Sequence, residues 1–436
     1  MLSKDQAHQK RIHRWNLEYS DGCYCIIDPD GARAQKTLPV LPIGQIGQWK
    51  AVRHGKYYRA ADQNGNALPD SCILKDYQIV ELLSFGGSSL CYKAVNKNTG
   101  HIQVVKELYP YVLAKEGLIY RDGTEIREKP DLDPKAHERV KNTFERGFLL
   151  EQEANDSVRF YQEETGTTND PRFLSSSPVA FEGHPKALNR YQVIDTQAGT
   201  FLDKVIFESD GRERVIDVLS LIKQLLISIR VLHKEKKRVH LDLKSENLLV
   251  SRAHVNNEKQ WGNHPVILID FGSSVPVDDD GRIIIGNEGI NLTSTMSYAA
   301  PEVENAALDE DYSTIGVWSD IFSVFIIAQH LLLSDADIAD ADDLSCESIR
   351  ESRSAVKLSE DEQQLLIGFL RSGLDTRKID TADKAIEELD ILIEVLNDHG
   401  IHPILIQKNA RRIAAQIREK DRIDPALLCE VELVNK

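Results

Sequence analysis

Short alternating runs dominate the start of the chain. Cys23-Tyr24-Cys25-Ile26-Ile27 and Lys56-Tyr57-Tyr58-Arg59-Ala60 alternate along their length, and the turn signals Asp21-Gly22, Asp30-Gly31 and Asn64-Gly65 separate such runs, which predicts a small β-rich segment over residues 1–70. Strands are predicted again at Tyr77-Gln78-Ile79-Val80 and at Gln103-Val104-Val105-Lys106, with a hairpin around Asp122-Gly123. Over residues 136–160 the period lengthens to that of a helix, and Phe144, Phe148 and Glu151 fall on one face. The runs Asn247-Leu248-Leu249-Val250 and Val266-Ile267-Leu268-Ile269 are short and apolar, as in buried strands. Ile321 to Leu333 reads as a buried helix: it is too short to span a bilayer and is broken by Gln329 and His330. A last helix is predicted from Pro403 to Glu419, with Ile404, Ile406, Ala410, Ile413 and Ile417 on its packed side.

Charge and cysteine content narrow the classes. Lys and Arg total 53 against 69 Asp and Glu, a net charge of −16, so no nucleic-acid partner and no anionic membrane surface is expected. The basic cluster Lys234 to Arg238 reads as a solvated helix end. Of 6 cysteines only Cys23 and Cys25 lie close together, and without a second pair at zinc spacing they read as alternate positions on a strand. The first residues, Met1-Leu2-Ser3-Lys4-Asp5-Gln6, lead into polar sequence, so no secretory signal or membrane insertion is expected and the location is read as cytoplasmic.

Chemistry concentrates between residues 240 and 302. His240-Leu241-Asp242-Leu243-Lys244-Ser245-Glu246-Asn247, Asp270-Phe271-Gly272 and Ala300-Pro301-Glu302 follow one another in order. They supply a carboxylate for an attacking hydroxyl, a cation for a moving phosphate and hard oxygen donors for a divalent ion, the parts that phosphoryl transfer requires. With these motifs the chain resembles eukaryotic-type (Hanks-type) Ser/Thr protein kinases, most closely their bacterial members. The resemblance runs from about Leu68 to about Val395 and implies an α+β, bilobal fold. Its expected layout is an N-terminal extension over 1–70, a kinase domain over 71–395 with its lobes divided at 196/197, and a helical extension over 396–436.

The resemblance implies ATP and magnesium, with manganese as an alternative, and a protein substrate with a Ser or Thr acceptor. Asp242 is the expected base, Lys244 the γ-phosphate partner, and Asn247 and Asp270 the metal ligands. Lys106 would reach the α- and β-phosphates and pair with Glu151, with Glu153 as the rival. Ser84, Gly86, Gly87, Ser88 and Ser89 stand where the family has a glycine-rich phosphate loop. Only Gly86 keeps a glycine of that pattern, since Ser84 and Ser89 replace the outer two. Asp195 to Gln197 occupy the hinge that meets adenine, and Leu248 the position beneath the purine.

At the acceptor end, Thr295 would bond to Asp242 and Lys244, Glu302 would pair with Arg377, and Asp320 would hold the catalytic-loop backbone or cap its own helix. Leu241 stands where many regulated kinases carry arginine. It offers no charge to an activation-segment phosphate, so control by an arginine-clamped phosphate is not expected. Two other classes fit part of the pattern: a catalytically silent kinase-like scaffold, favoured by the sparse glycines, and a small-molecule phosphotransferase, which lacks a use for Lys244 and the Thr295-to-Glu302 segment. The oligomeric state is not legible in the sequence.

Overall fold

A computed structural model describes residues 16–20, 23–27, 36–38, 40–43, 48–68, 72–163, 166–180, 186–195, 199–205, 207, 209–251, 266–285, 294–295, 297–309, 311–333, 349–350, 352, 355–374 and 378–397. The helix expected over 403–419, and Gln197 and Arg377, lie outside the described residues. By contact the chain divides into two compact units, residues 1–205 with 231–320, and residues 206–230 with 321–436.

The first unit is built around a six-stranded antiparallel sheet. Its order is Ser176–Val179, Tyr191–Asp195, Ile102–Leu108, Ser89–Asn96, Tyr77–Phe85 and Ile73–Leu74. Period-2 alternation sends Tyr92, Val105, Tyr191 and Val193 into one core, which also receives Phe144 from a helix and Leu41 and Ile43 from upstream. A smaller cluster of Ala60, Val80 and Val95 seats the hairpin Lys50–His54/Tyr57–Ala61 on this sheet, with Trp49 and Tyr58 packed beside it. Cys23 and Cys25 lie on a strand, Cys23–Ile27, of a separate three-stranded sheet.

The helical stretch read from the sequence over 136–160 is three pieces. An α-helix Pro134–Lys141, capped by the Asp133 side chain on Lys135 N and Ala136 N, runs into a π-helical turn Asn142–Gly147 and then an α-helix Phe148–Arg159. Periodicity cannot show such a turn, because one added residue changes no residue type. The insert after Lys106 is a short helix Tyr111–Lys115 and a hairpin, Ile119–Asp122 with Glu125–Glu128, which buries Ile119 and Ile126.

A four-stranded sheet, Phe173–Leu174, Val266–Ile269, Leu248–Ser251 and Gly199–Phe201, holds both apolar runs of the motif region. Asn247 and Asp270 therefore sit at the ends of adjacent strands. The second unit is helical, with Glu360–Leu374 and Ala382–Asn397, and Phe325 packs on Phe369 with ring centroids 4.8 Å apart. There Arg212 pairs with Glu362, and Lys223 with Asp390 at 2.5 Å. Among the described residues no helix is long and apolar enough to cross a membrane.

Candidate active site

The loop His240–Asn247 is pinned from below by one buried carboxylate. Asp320, fully buried at the start of the helix Val317–Leu332, accepts from the backbone N–H of His240 (2.8 Å) and of Leu241 (2.9 Å), and lies 2.9 Å from His233 Nε2. Its geometry is that of a backbone holder. Leu241 needs holding, since its φ is 63°, in the left-handed region that costs an ordinary L-residue. The His240 ring also lies 3.0 Å from Ile269 O and packs on Phe271, so the loop and the Asp270 turn are joined.

Above this floor Asp242, Lys244 and Thr295 form a closed triangle. Lys244 Nζ is 2.7 Å from Asp242 Oδ2 and donates to Thr295 Oγ1 at 2.9 Å, while the Thr295 hydroxyl donates to Asp242 Oδ1 at 2.8 Å. Asn247 Nδ2 donates to Asp242 O (2.8 Å) and Oδ2 (3.1 Å). A second centre surrounds Lys106, whose ammonium lies 2.7 Å from Glu151 Oε1 and 2.8 Å from Asp270 Oδ1. Of the two glutamates, the one brought to Lys106 is Glu151. Burial works against the Lys106 ammonium, yet Asp270 and Glu151 hold its pKa well above the usual lysine value. Burial likewise acts to raise the Asp270 pKa, but the charge and hydrogen bond of Lys106, with Lys244 and His240 beyond, bring the carboxyl down to about 2.

Both centres open onto one cleft of ≈ 820 Å³, lined by Gly86 to Ser89, Lys106, Glu151, Asp242, Asp270 and Thr295. The loop at its edge is anchored by its own backbone: Gly86 N–H donates to Ser89 O, and the carbonyls of Gly87 and Ser88 accept from Tyr111 N and Tyr109 N. A Cβ added at Gly86 or Gly87 would meet nothing within 4 Å, so packing gives no reason for glycine at either position. Ser84 and Ser88 are exposed and Ser89 is buried. Leu248 is fully buried in the strand below. Asp195 is exposed at a strand end, where it accepts from Gln103 Nε2 at 2.6 Å. Glu302 accepts from Ser319 Oγ at 2.7 Å.

One reading from the sequence is corrected. Arg238, taken as part of a solvated helix end, is 5% exposed and belongs to a strand, Arg238–Val239, that pairs with Val275–Pro276. The helix ends earlier, at Lys234. Arg238 Nη2 donates to Ser274 O at 2.7 Å and its Nε to Ser274 Oγ at 3.2 Å, which offsets its burial. A run of basic residues gave no sign of which one turns inward.

Residues 189–390 match the family model described as protein kinase domain. Among curated proteins, the chain is 28% identical over 160 residues to a titin homolog of Caenorhabditis elegans, 26% identical over 187 residues to citron rho-interacting kinase of Rattus norvegicus, and 31% identical over 105 residues to the dual specificity protein kinase zak2 of Dictyostelium discoideum. These matches cover 34%, 41% and 24% of this chain, and 1%, 8% and 14% of the relatives, so the chain spans only a small part of their length. Among solved structures, the kinase domain of PknI from Mycobacterium tuberculosis aligns with TM-score 0.41 and 15% identity, over 75% of this chain and 100% of that one. The family match begins at Asn189 and leaves out Lys106 and Glu151; the fold brings Lys106 into direct contact with Asp270 and Glu151 into contact with Lys106. Over residues 189–390, which hold Asp242, Lys244, Asn247, Asp270 and Thr295, the chain is similar to protein kinase domains.

Proposed function

We propose that this chain transfers the γ-phosphate of ATP to Ser or Thr hydroxyls of protein substrates. The observation that carries the reading is that the Asp242–Lys244–Thr295 triangle and the Glu151–Lys106–Asp270 chain line one cleft. Asp242 would accept the proton of the acceptor hydroxyl, and Lys244 would neutralise charge on the transferring group. Lys106, held by Glu151, would meet the inner phosphates beneath the Gly86–Ser89 loop, where the open space beside both glycines suits close approach of phosphate oxygens.

The donor set fits magnesium. Asp270 keeps an ionised carboxylate, and Asn247 commits its amide nitrogen to Asp242, which leaves its amide oxygen as a hard donor. Among the described residues no cluster of three or more His, Cys, Asp or Glu forms an all-protein cage. That suits an ion which takes few protein oxygens and the rest from phosphate and water. When bound, the ion would screen the phosphate charge.

Leu241 is 4% exposed and uncharged, so the reading extends to activity without a phosphate on the activation segment. The test is incubation of the purified protein with labelled ATP, magnesium and a mixed acidic and basic protein panel, followed by phosphoamino-acid analysis. Label on Ser or Thr, abolished by Asp270→Ala in a protein that still folds, is expected. Absence of label from the wild type would favour the scaffold class, and label on a small molecule alone the other.

A further inference from the structure

We propose that Arg238 is a built-in positioning residue, which holds the turn Phe271–Ser274, and with it the Asp270 carboxylate, without a phosphate on the activation segment. The inference rests on the phosphotransfer reading above and names its regulation. The charge missing at Leu241 stands three residues upstream, but buried rather than aimed at a modifiable segment. A guanidinium withdrawn from water is costly unless its N–H groups are matched, so the two bonds to Ser274 constrain where that residue can sit.

Ser274 passes the constraint in both directions. Its hydroxyl donates to Val239 O at 2.8 Å, and its N–H donates to Phe271 O at 3.1 Å, which closes the turn Phe271–Ser274 directly after Asp270. One side chain thus ties the strand leading into His240–Asp242 to the segment leaving Asp270-Phe271-Gly272. The entry to that turn needs a restraint, because Asp270, the residue before it, holds a φ of 63°. A third element joins through charge. Burial lowers the Arg238 pKa, and Glu153, two residues beyond Glu151 on the same helix, opposes that effect. The helix placement that brings Glu151 to Lys106 therefore also supports Arg238.

The experiment compares wild type, Arg238→Met and Arg238→Lys, each stripped by phosphatase and verified bare by mass spectrometry. Two readouts do not depend on turnover: amide hydrogen exchange across Phe271–Ser274 in the ligand-free protein, and Mn²⁺ binding in the presence of ATP followed by electron paramagnetic resonance. Arg238→Met is expected to exchange roughly 10- to 100-fold faster across that turn, as for loss of two charge-assisted hydrogen bonds. Its Mn²⁺ binding should weaken, with protection in the helix Phe148–Arg159 unchanged. Arg238→Lys keeps the charge but not the paired geometry, and should fall between. The apparent magnesium constant for transfer should rise more than kcat falls, whereas a general loss of stability would lower the active fraction and leave that constant alone.

Unchanged exchange and Mn²⁺ binding in Arg238→Met would overturn the proposal. If that variant does not fold, Ser274→Ala and Arg238→Lys decide: locally faster exchange and weaker Mn²⁺ binding support it, and wild-type behaviour in both overturns it. A wild type that transfers no phosphate defeats the functional reading instead, and the exchange data still judge the latch.

Discussion

Lys106 and Glu107 are neighbours on one strand, and their side chains enter two buried ion pairs on opposite faces of the sheet. On the cleft side Lys106 bridges Glu151 and Asp270, and the Asp270 side chain stays 40% exposed. On the other side Glu107 is fully buried. It lies 2.5 Å from Arg121 of the inserted hairpin and accepts from Tyr92 OH at 3.1 Å and Asn189 Nδ2 at 3.5 Å. Asn189 in turn donates to Tyr191 OH and Thr124 O, and Tyr92 OH receives Leu41 N–H. The two pairs differ in what completes them. Glu107 is satisfied wholly by the protein, while the Lys106 centre keeps a carboxylate open to whatever enters the cleft. Burial of an ion pair alone does not mark a working site; an open oxygen beside it does.

The contrast can be broken most forcefully at Lys106. Lys106→Met should lower kcat by about 10²- to 10³-fold, as for removal of a preorganised charge partner, while far-ultraviolet circular dichroism stays that of a folded protein. Near-normal turnover would remove Lys106 from the phosphate site. Arg121→Met should do the opposite. Stranding Glu107 without its partner should cost about 3–5 kcal/mol of stability in urea unfolding, with turnover per folded molecule close to wild type. The double variant Arg121→Met/Glu107→Leu should recover most of that stability, and failure to recover it would mean that Glu107 serves more than the hairpin.

Smaller effects sharpen the comparison. Glu151→Gln leaves Lys106 with one carboxylate and should lower kcat/KM roughly tenfold, whereas Glu153→Gln should lower it less, because Glu153 acts on Arg238 rather than on Lys106. Equal losses would mean that the two helix positions are not distinguished. The smallest effect is on pH dependence. Asp270 is held at about 2, below its ordinary 3.8, so the unfolded chain binds a proton more readily than the folded one. Its stabilising contribution is complete above about pH 4 and is lost as pH falls toward about 2. Acid-unfolding curves of Asp270→Asn should lack that component, and identical curves for variant and wild type would contradict the assignment.

What was legible follows from how local each signal is. The motifs from His240 to Asp270 are short and ordered, and the i to i+3 step from Phe148 to Glu151 lies within regular helix, beyond the π-turn that would have shifted the face. The Glu107 network was hidden because its members are scattered from Leu41 to Tyr191 and each alone is an ordinary residue. Leu41 and Ile43 join the sheet's core from a stretch outside any strand, where Pro39 and Pro42 interrupt the apolar run and argue against a strand. Arg238 misled because a basic run gives no parity.

The backbone at Asp270 carries one further consequence. A left-handed φ of 63° is a conformation that Asn and Gly adopt at least cost, and both lie a single nucleotide substitution from Asp. Descendants of this gene can therefore exchange this carboxylate, the one proposed to hold the metal, without straining the backbone at that position, and would then persist as copies without the proposed activity. At Leu241, with the same backbone sign, a β-branched replacement is opposed by sterics. Evolution meets a smooth path away from the proposed chemistry at one position and a barred set of side chains at the other.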